Sequence, residues 1–197
     1  MNPIRRPEVV LASTSPYRRA LMERLGIPFR CEPPNFDESS VAADGLSPRL
    51  LAETLAIGKA ESLSRLDPTA VVVGCDQIVH LEGRILGKPG GIPQAVAQLE
   101  AMSGRTHELI TAMVVISGEQ RFAHTDVARL RMRRLDRRRI ERYVESDRPL
   151  DCAGSYKIEE RGVVLFERIE SEDFTAITGL PLLALTRILA ELGFETP

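Results

Sequence analysis

The six residues from Ala70 to Cys75 constrain the fold more than any other segment, because all are apolar or glycine and three in a row are valines. A strand that lacks the usual alternation of polar and apolar side chains is typical of burial on both faces. Helices must then cover both faces of its sheet, so the run predicts an α/β fold. The chain has 197 residues, of which 43% are hydrophobic, and a net charge of -2. These values predict a single folded domain over residues 1–197.

Helix and strand signals mix irregularly along the chain, which favours a mixed sheet over a strict βαβ array. Ser15-Pro16 and Ser47-Pro48 each combine an N-cap residue with a proline suited to the first helical position. They predict helices over about 16–25 and 49–64. The other predicted strands are 9–12, 29–32, 109–116, 122–132 and 163–169, with a hairpin over 78–86, and the other predicted helices are 91–102, 136–146 and 181–192.

The cysteines exclude two common classes of small protein. Cys31, Cys75 and Cys152 are odd in number and far apart, which argues against a disulfide framework. The sequence has neither a CxxC pair nor a His/Cys ligand spacing, which argues against a structural zinc site. No run approaches the roughly 20 apolar residues that a membrane-spanning helix needs. We therefore expect a cytoplasmic protein with reduced thiols and no membrane association.

The first candidate for chemistry is the hydroxyl-rich loop of Ser13, Thr14 and Ser15, which connects a predicted strand to a predicted helix. The first turn of a helix offers unpaired N–H groups and the positive end of a dipole, so it attracts anions. Arg18 and Arg19 add charge, and an arginine fork matches phosphate oxygens. The loop is therefore a candidate phosphate site. A capped surface helix with ordinary arginines is the alternative.

Asp76 is the second candidate, because it follows the buried run directly, at the expected end of the strand. In α/β proteins, ligands lie beyond the carboxyl ends of strands. A carboxylate in that place is suited to hold a metal ion or to activate a water molecule. The alternative is an aspartate that only forms a turn or a cap.

Two lysines and an acidic pair complete the pattern. Pro89 holds the backbone of Lys88 extended, which suits a lysine aimed at a fixed target, although Gly-Lys-Pro also occurs in ordinary turns. Lys59 lies in the second predicted helix, where a solvated surface position is the alternative. With the neighbouring Asp37 and Glu38, these residues describe one kind of site. Cations surround a polyphosphate, and carboxylates hold a divalent metal and a water.

Seven arginines fall between Arg129 and Arg139. A nucleic-acid-binding face is one interpretation of such a cluster. In its first half, however, the arginines alternate with apolar residues, and no aromatic residue interleaves with them to stack bases. We therefore interpret the cluster as a solvated edge strand protected by charge, and expect no stable complex with nucleic acid.

Eight short segments occur in an order and spacing that is similar to a known family. They are Ala12–Arg19, Asp37–Glu38, Lys59–Ala60, Gly74–Gln77, Gly87–Pro89, Ser103–His107, Gly154–Lys157 and Gly179–Leu182. Together they resemble the Maf family of nucleoside triphosphate pyrophosphatases. The resemblance extends from about Val9 to Leu192.

The resemblance implies an inosine-triphosphatase-like α/β fold, with a mixed twisted sheet, flanking helices and a cleft between two lobes. It implies hydrolysis between the α- and β-phosphates with a divalent metal, Mg²⁺ or Mn²⁺. Asp76 matches the family's proton acceptor, and Asp76 and Glu38 are the predicted metal ligands. A homodimer is a further expectation. The residues that match the family's substrate-binding cleft are Ser13, Arg18, Glu38, Lys59 and Lys88.

Three further positions distinguish branches of this family around the base pocket. Here they hold Tyr17, Gln77 and Glu159, a combination that resembles the branch acting on 7-methyl-GTP, which has Trp at the first position. An N7-methylated guanine is positively charged, so an aromatic ring and a nearby carboxylate are suited to bind it. Two alternatives stay open. One is a dTTP or UTP pyrophosphatase of the same family, and the other is a partner- or nucleic-acid-binding module related to septum formation.

The basic residues are unevenly divided, since there are only three lysines among 26 lysines and arginines. Lysine is a compact point charge, whereas arginine is a planar fork. Lys59 and Lys88 match cleft positions, and Lys157 lies near Glu159 in the late glycine segment. We therefore expect all three lysines to contact phosphate or the base pocket.

Overall fold

The strands form one mixed sheet flanked by helices, as the sequence predicts. The computed structural model describes residues 7–42 and 45–195. The strands are β1 (Val9–Ala12), β2 (Phe29–Glu32), β3 (Val71–Leu81), β4 (Arg84–Leu86), β5 (Thr106–Ser117), β6 (Gln120–Met132) and β7 (Phe166–Glu170). The helices are α1 (Pro16–Glu23), α2 (Pro48–Ser64), α3 (Ile92–Met102), α4 (Arg137–Asp147), α5 (Phe174–Ile177) and α6 (Leu182–Glu191), and short 3-10 turns occur at Glu38–Ser40, Ala153–Ser155 and Arg161–Leu165.

The sheet runs in the order β2-β1-β3-β5-β6-β7, and β4 pairs with β3 outside this path. β1 is parallel to both β2 and β3, whereas the other pairs are antiparallel. β5 occupies one edge of β3 along residues 71–80. β1 and β4 therefore share the opposite edge of β3.

That shared edge has a gap. β1 pairs with residues 71–74 of β3 and β4 pairs with residues 79–81, so residues 75–78 have neither strand beside them. Asp76 lies in this gap. The loop that follows β1 starts at the same level, because Ala12, the last residue of β1, lies opposite Gly74.

The predicted end of the strand at Asp76 is wrong. β3 continues to Leu81, because β5 pairs with it residue by residue past Asp76. The strand that ends at this level is β1. Asp76 therefore still lies beside the carboxyl end of a parallel strand, which is where ligands bind in α/β sheets. The predicted hairpin over residues 78–86 is confirmed, and its turn lies at Glu82-Gly83, where both residues have positive φ, of 47° and 85°.

Three smaller expectations also differ from the structure. α1 ends at Glu23, two residues before Leu25, because the backbone N–H of Arg24 turns back to the carbonyls of the preceding residues. β7 begins at Phe166, since residues 161–165 form a 3-10 turn. β6 is not an edge strand at its arginine-rich end, because residues 129–132 pair with β7.

Three clusters of buried side chains divide the molecule into two lobes. In the first lobe each face of the sheet has its own core, one beneath α1 and α6 and one beneath α2. Val72 faces α2, while Val71 and Val73 face the other side, so the predicted burial on both faces is confirmed. The second lobe has one core among α3, α4 and the far ends of β3, β5 and β6.

None of the helices within residues 7–42 and 45–195 is long and apolar enough to cross a membrane.

Candidate active site

A cavity of about 420 Å³ lies at the gap in the β3 edge, between the two lobes. Its volume is within the roughly 300–1,000 Å³ typical of ligand sites. The first lobe contributes the loop after β1 and part of α2, and the second contributes the segment 151–159. The predicted site residues that line it are Ser13, Tyr17, Arg18, Glu38, Lys59, Gln77, Lys88 and Glu159.

The loop after β1 forms one wall of the cavity and is held by its own hydroxyl groups. Ser15 is the N-cap of α1, and its Oγ accepts a hydrogen bond from Arg18 N at 3.4 Å. Ser13 is buried, and its Oγ accepts a hydrogen bond from Ser15 N at 3.1 Å. The start of α1 therefore lies at the cavity wall, where its dipole favours an anion.

A distant carbonyl fixes the side chain of Arg18. Its Nε donates to the carbonyl oxygen of Gly179 at 2.9 Å, and the thiol of Cys75 donates to the same oxygen at 3.0 Å. The two terminal nitrogens of Arg18 make no hydrogen bond within the described ranges, so both are available to an anion in the cavity. Arg19 is exposed and lies outside the cavity lining.

Lys59 lies between two carboxylates at the charged end of the cavity, which we define as Glu38, Lys59 and Asp76. The ammonium donates to Asp76 Oδ1 at 2.6 Å and lies 2.9 Å from Glu38 Oε1. Lys59 is 6% exposed and Asp76 8%, whereas the side chain of Glu38 is 54% exposed. A buried ammonium needs a paired charge, and Asp76 provides it. Lys59 and Glu38 line the cavity, and Asp76 lies directly behind Lys59.

A glycine in β3 lets α2 approach closely enough to make this contact. A Cβ on Gly74 would lie 2.4 Å from the carbonyl oxygen of Ala56 and 2.6 Å from the backbone nitrogen of Ala60. Both neighbours are backbone atoms of α2, which cannot give way as a side chain does. The missing side chain therefore allows α2 to carry Lys59 onto Asp76.

A second glycine positions Glu38. A Cβ on Gly58, the residue before Lys59, would lie 2.4 Å from the ring of Phe36. The ring therefore packs on bare helix backbone and anchors the loop that leads to Glu38. The other half of the predicted acidic pair, Asp37, instead caps the 3-10 turn, because it accepts a hydrogen bond from the backbone nitrogen of Ser39 at 3.0 Å.

Burial dominates the ionisation of Asp76. It raises the pKa of the carboxyl above its ordinary value, while the nearby Lys59 and Arg18 oppose the rise and Glu38 adds to it. The second carboxylate oxygen makes no hydrogen bond with the part of the chain that is described, and 11% of the side chain remains exposed. A carboxylate with a raised pKa and a free oxygen is suited to accept a proton from water.

The opposite end of the cavity is the aromatic end, which we define as Tyr17, Cys152, Tyr156 and Glu159. The Cys152 thiol donates a weak hydrogen bond to the Tyr17 hydroxyl at 3.8 Å. Partial burial raises the pKa of the Glu159 carboxyl, but the side chain stays open to solvent, so we expect it to be ionised near neutral pH. This end thus offers an aromatic ring and a negative charge.

Gln77 connects the gap in β3 to α5. Its Nε2 lies 2.9 Å from both Thr111 Oγ1 and the carbonyl of Ala176, and 3.1 Å from the carbonyl of Ile177. Its amide oxygen makes no hydrogen bond among the described residues, and the side chain lines the cavity. Gln77 therefore holds α5 in place and keeps an acceptor for a ligand.

Similarity to known proteins identifies the family of this chain. Residues 8–192 match the family model described as Maf-like protein, which is nearly the whole chain. The chain belongs to the Maf family. A relative named 7-methyl-GTP pyrophosphatase, from Bdellovibrio bacteriovorus, is 50% identical over 92% of this chain and 95% of its own length.

Two other relatives carry the same name. The one from Xanthomonas oryzae is 46% identical over 97% of this chain and 100% of its own length. The one from Pseudomonas aeruginosa is 43% identical over 97% of this chain and 100% of its own length. The alignments therefore include both lobes and both ends of the cavity.

Some cavity residues of this Maf-family chain were not predicted as site residues. Cys152, Ile158 and Ile177 are apolar or weakly polar, and nothing in their local sequence indicates a binding site. The segment Gly179–Leu182 belongs to the family resemblance, but its contact with Arg18 spans 161 positions of the chain. Only the folded chain shows that this carbonyl orients an arginine of the site.

The three lysines do not behave alike. Lys59 is buried at the charged end, and Lys88 is exposed, lines the cavity and has no ion pair with any described residue. Lys157 does not line the cavity, so the expectation for it is wrong. Its ammonium lies 3.6 Å from Glu160 Oε1, and its carbonyl accepts a hydrogen bond from the backbone nitrogen of Gly162, so it stabilises its own loop.

The arginine cluster is largely neutralised by carboxylates. Arg129 pairs with Glu108, Arg131 with Glu167, Arg137 with Glu100 and Glu141, and Arg139 with Asp136. Exposed pairs of this kind add little stability, but they reduce the positive potential of the surface. The pairing favours the solvated-surface interpretation over a nucleic-acid face.

Whether a divalent metal fits the charged end depends on the side-chain donors that the chain offers there. Among the described residues, no group of three or more His, Cys, Asp or Glu side chains is arranged to hold one. Asp76 and Glu38 nevertheless both contact the ammonium of Lys59, so their carboxylates lie close together. Mg²⁺ is usually bound by one or two carboxylates together with substrate phosphates and water. These two residues therefore fit a metal that arrives with a polyphosphate.

Proposed function

We propose that this chain hydrolyses 7-methyl-GTP to 7-methyl-GMP and pyrophosphate. The observation that carries the proposal is that one cavity joins a buried Lys59–Asp76 pair to the Tyr17–Glu159 pair. The first pair suits reaction at a phosphate, and the second suits a cationic base. The names of the relatives support the same substrate.

In this proposal the triphosphate occupies the charged end of the cavity. The free nitrogens of Arg18 and the ammonium of Lys88 bind phosphate oxygens, with the start of α1 beside them. Lys59 balances the developing charge while it remains bonded to Asp76. Each such preorganised group is worth about 2.7–4 kcal/mol of transition-state stabilisation, by analogy with an oxyanion-hole donor.

Asp76 acts as the general base. Its free oxygen accepts a proton from a water molecule, the water oxygen bonds to phosphorus at the α–β anhydride, and the bond to the bridging oxygen breaks, which releases pyrophosphate. Asp76 and Glu38 would hold the divalent cation, Mg²⁺ or Mn²⁺. That cation would neutralise the phosphate charge and polarise the phosphoryl group.

The aromatic end binds the base. N7-methylation gives guanine a positive charge, which favours the face of an aromatic ring and a nearby carboxylate, here Tyr17 and Glu159. The free amide oxygen of Gln77 is an acceptor for the N–H groups of guanine. A pyrimidine such as UTP has neither the charge nor the second ring to use these groups.

A substrate panel tests the proposal. The purified chain is assayed for pyrophosphate release from 7-methyl-GTP, GTP, dTTP and UTP, with Mg²⁺, with Mn²⁺ and with a chelator. We expect the highest kcat/KM for 7-methyl-GTP and loss of activity with the chelator. Faster cleavage of UTP or dTTP would establish the pyrimidine branch instead. Turnover in the presence of the chelator would show that the reaction does not need a divalent metal.

A homodimer and a cytoplasmic location remain part of the proposal. The three cysteines are free thiols, which is consistent with a reducing compartment. Light scattering on the purified chain tests the oligomeric state. A monomeric mass at assay concentration would rule out a dimer that is needed for activity.

A further inference from the structure

A second cavity, of about 530 Å³, adjoins the aromatic end of the first one. Tyr17 and Glu159 line both cavities, and so do Ile158, Ile177 and Thr178. The two spaces therefore adjoin along these residues, and the second begins where the base binds in the proposed function.

The second cavity is much more apolar than the first. The apolar side chains that line it are Ala20, Leu21, Ile158, Ile169, Phe174 and Ile177. Phe174 is 66% exposed and Ile169 37% exposed, so part of this lining faces solvent. Arg24 lies over the Phe174 ring, 5.5 Å from its centre, and holds that ring at the rim. Covering such a surface with an apolar group is favourable, because it removes apolar area from water.

Charge indicates which edge of the base meets this space. An N7-alkylated guanine carries its positive charge on the five-membered ring, the ring that also bears the alkyl group. Glu159 is the charged side chain common to both cavities. Attraction to Glu159 therefore places the substituent on N7 at the boundary between the two cavities, directed out of the first one.

We propose that the second cavity receives N7 substituents larger than methyl, so that the chain hydrolyses bulky N7-alkylguanosine triphosphates as a class. This inference rests on the proposed function, because it assumes that the base lies at the aromatic end. An apolar cavity of about 150 Å³ is large enough to hold benzene. At about 530 Å³ the second cavity accommodates a benzyl group with room to spare.

The test compares N7-benzyl-GTP with 7-methyl-GTP and GTP by pyrophosphate release. We expect kcat/KM for the benzyl compound to be within about tenfold of the value for 7-methyl-GTP, which is the lower end of the cost of one methylene-sized misfit in an apolar pocket. Cleavage of 7-methyl-GTP without any cleavage of the benzyl compound would overturn the inference and leave the proposed function intact. Failure to cleave either compound would overturn the proposed function.

A filling variant tests the position of the benzyl group. Ala20 lines the second cavity only, so Ala20→Trp should lower kcat/KM for N7-benzyl-GTP at least about tenfold and leave that for 7-methyl-GTP within about twofold. Ala97→Trp is the matched control, because Ala97 is an exposed alanine of α3 that lines neither cavity. An equal loss on both substrates, or none on either, would contradict the assignment.

Two further measurements keep the test decisive. If Ala20→Trp does not fold, Ile169→Asn replaces it, since that residue lies in β7 on another wall and a polar amide disfavours an apolar ring. The alternative occupant of an apolar surface is a second copy of the chain. A change of mass in light scattering with Ala20→Trp but not with Ala97→Trp, without discrimination between substrates, would assign the surface to that contact and overturn the inference.

Discussion

The two ends of the cavity are held by different kinds of contact. At the charged end, Lys59 and Asp76 are buried and joined by a hydrogen bond of 2.6 Å. At the aromatic end, Tyr156 is buried, but the two groups proposed to bind the base are held less firmly, because Glu159 is open to solvent and the contact of Tyr17 with Cys152 is a weak one at 3.8 Å. Buried charge pairs allow little movement, whereas exposed groups adapt. The groups proposed to carry out the reaction are therefore held in fixed positions by the fold. Recognition of the base depends on groups that can be substituted one at a time.

The largest expected effect is at Asp76. Asp76→Asn keeps the shape of the side chain but removes the proton acceptor, so pyrophosphate release from 7-methyl-GTP should fall by a factor of about 10²–10⁴. The thermal midpoint of unfolding shows whether the variant is folded. The matched control is Asp126→Asn, because Asp126 is also buried and also has a raised pKa but lies outside the cavity. Equal activity of Asp76→Asn and the wild type would remove Asp76 from the mechanism.

The loss of activity on replacing a lysine with arginine should be larger the more deeply that lysine is buried. Lys59→Arg places a wider guanidinium in a 6% exposed site, and a displacement of about 1 Å in such a site costs about 10²-fold in turnover. Lys88→Arg should cost less, since Lys88 is exposed. Lys157→Arg, outside the cavity, is the control and should cost nothing. Full activity in both cavity variants would mean that the choice of lysine at these positions has no role in the reaction.

The pH profile should report Asp76. Burial raises the pKa of this carboxyl, so kcat/KM should fall about tenfold per pH unit on the acid side, with a midpoint above the usual value of about 3.9. The effect on stability has the opposite sign. The contribution of Asp76 to the free energy of unfolding is full below its pKa in the unfolded chain and is lost as the pH rises through its folded pKa.

A control assigns that acid limb to one carboxyl. Glu159 also has a raised pKa, but it lies at the aromatic end. Glu159→Gln should therefore leave the acid limb of the profile in place. If the limb moves in this variant, Glu159 and not Asp76 is the group that titrates.

The smallest expected effect is on the choice of base. Glu159→Gln removes one exposed charge from the aromatic end, and exposed charge pairs are worth about 0.2–1 kcal/mol. The ratio of kcat/KM for 7-methyl-GTP to that for GTP should therefore fall only about 1.4-fold to fivefold. Glu160→Gln, its exposed neighbour outside the cavity, is the matched control. An unchanged ratio in Glu159→Gln would show that the carboxylate does not contribute to selectivity for the positively charged base.

Local signals predicted the elements that carry the site. Ser15 and Ser47 cap α1 and α2 as expected, because a cap and a following proline act within a few residues. The valine run and its burial were also predictable, since burial on both faces leaves a direct trace in the sequence. The family resemblance then indicated which polar residues share the cavity, and eight of them line it.

The rest depends on contacts between distant segments. Asp76 looked like the end of a strand because polar residues interrupt the apolar run, but pairing with β5 continues the strand past it. The approach of α2 to Gly74 and the bond from Arg18 to Gly179 join residues whose local sequences carry no sign of the partner. The second cavity was not predictable either, because its apolar walls resemble ordinary core residues until the chain is folded.

The long pairing of β3 with β5 has a consequence for how a nucleotide enters. These two strands are hydrogen-bonded partners over residues 71–80, and that ladder passes from the cores of the first lobe into the core of the second. A hinge between the lobes would have to bend or break this ladder. We therefore expect the lobes to move little relative to each other, and we expect most of the adjustment around an incoming nucleotide in the segments that line the mouth, around Glu38 and residues 151–159.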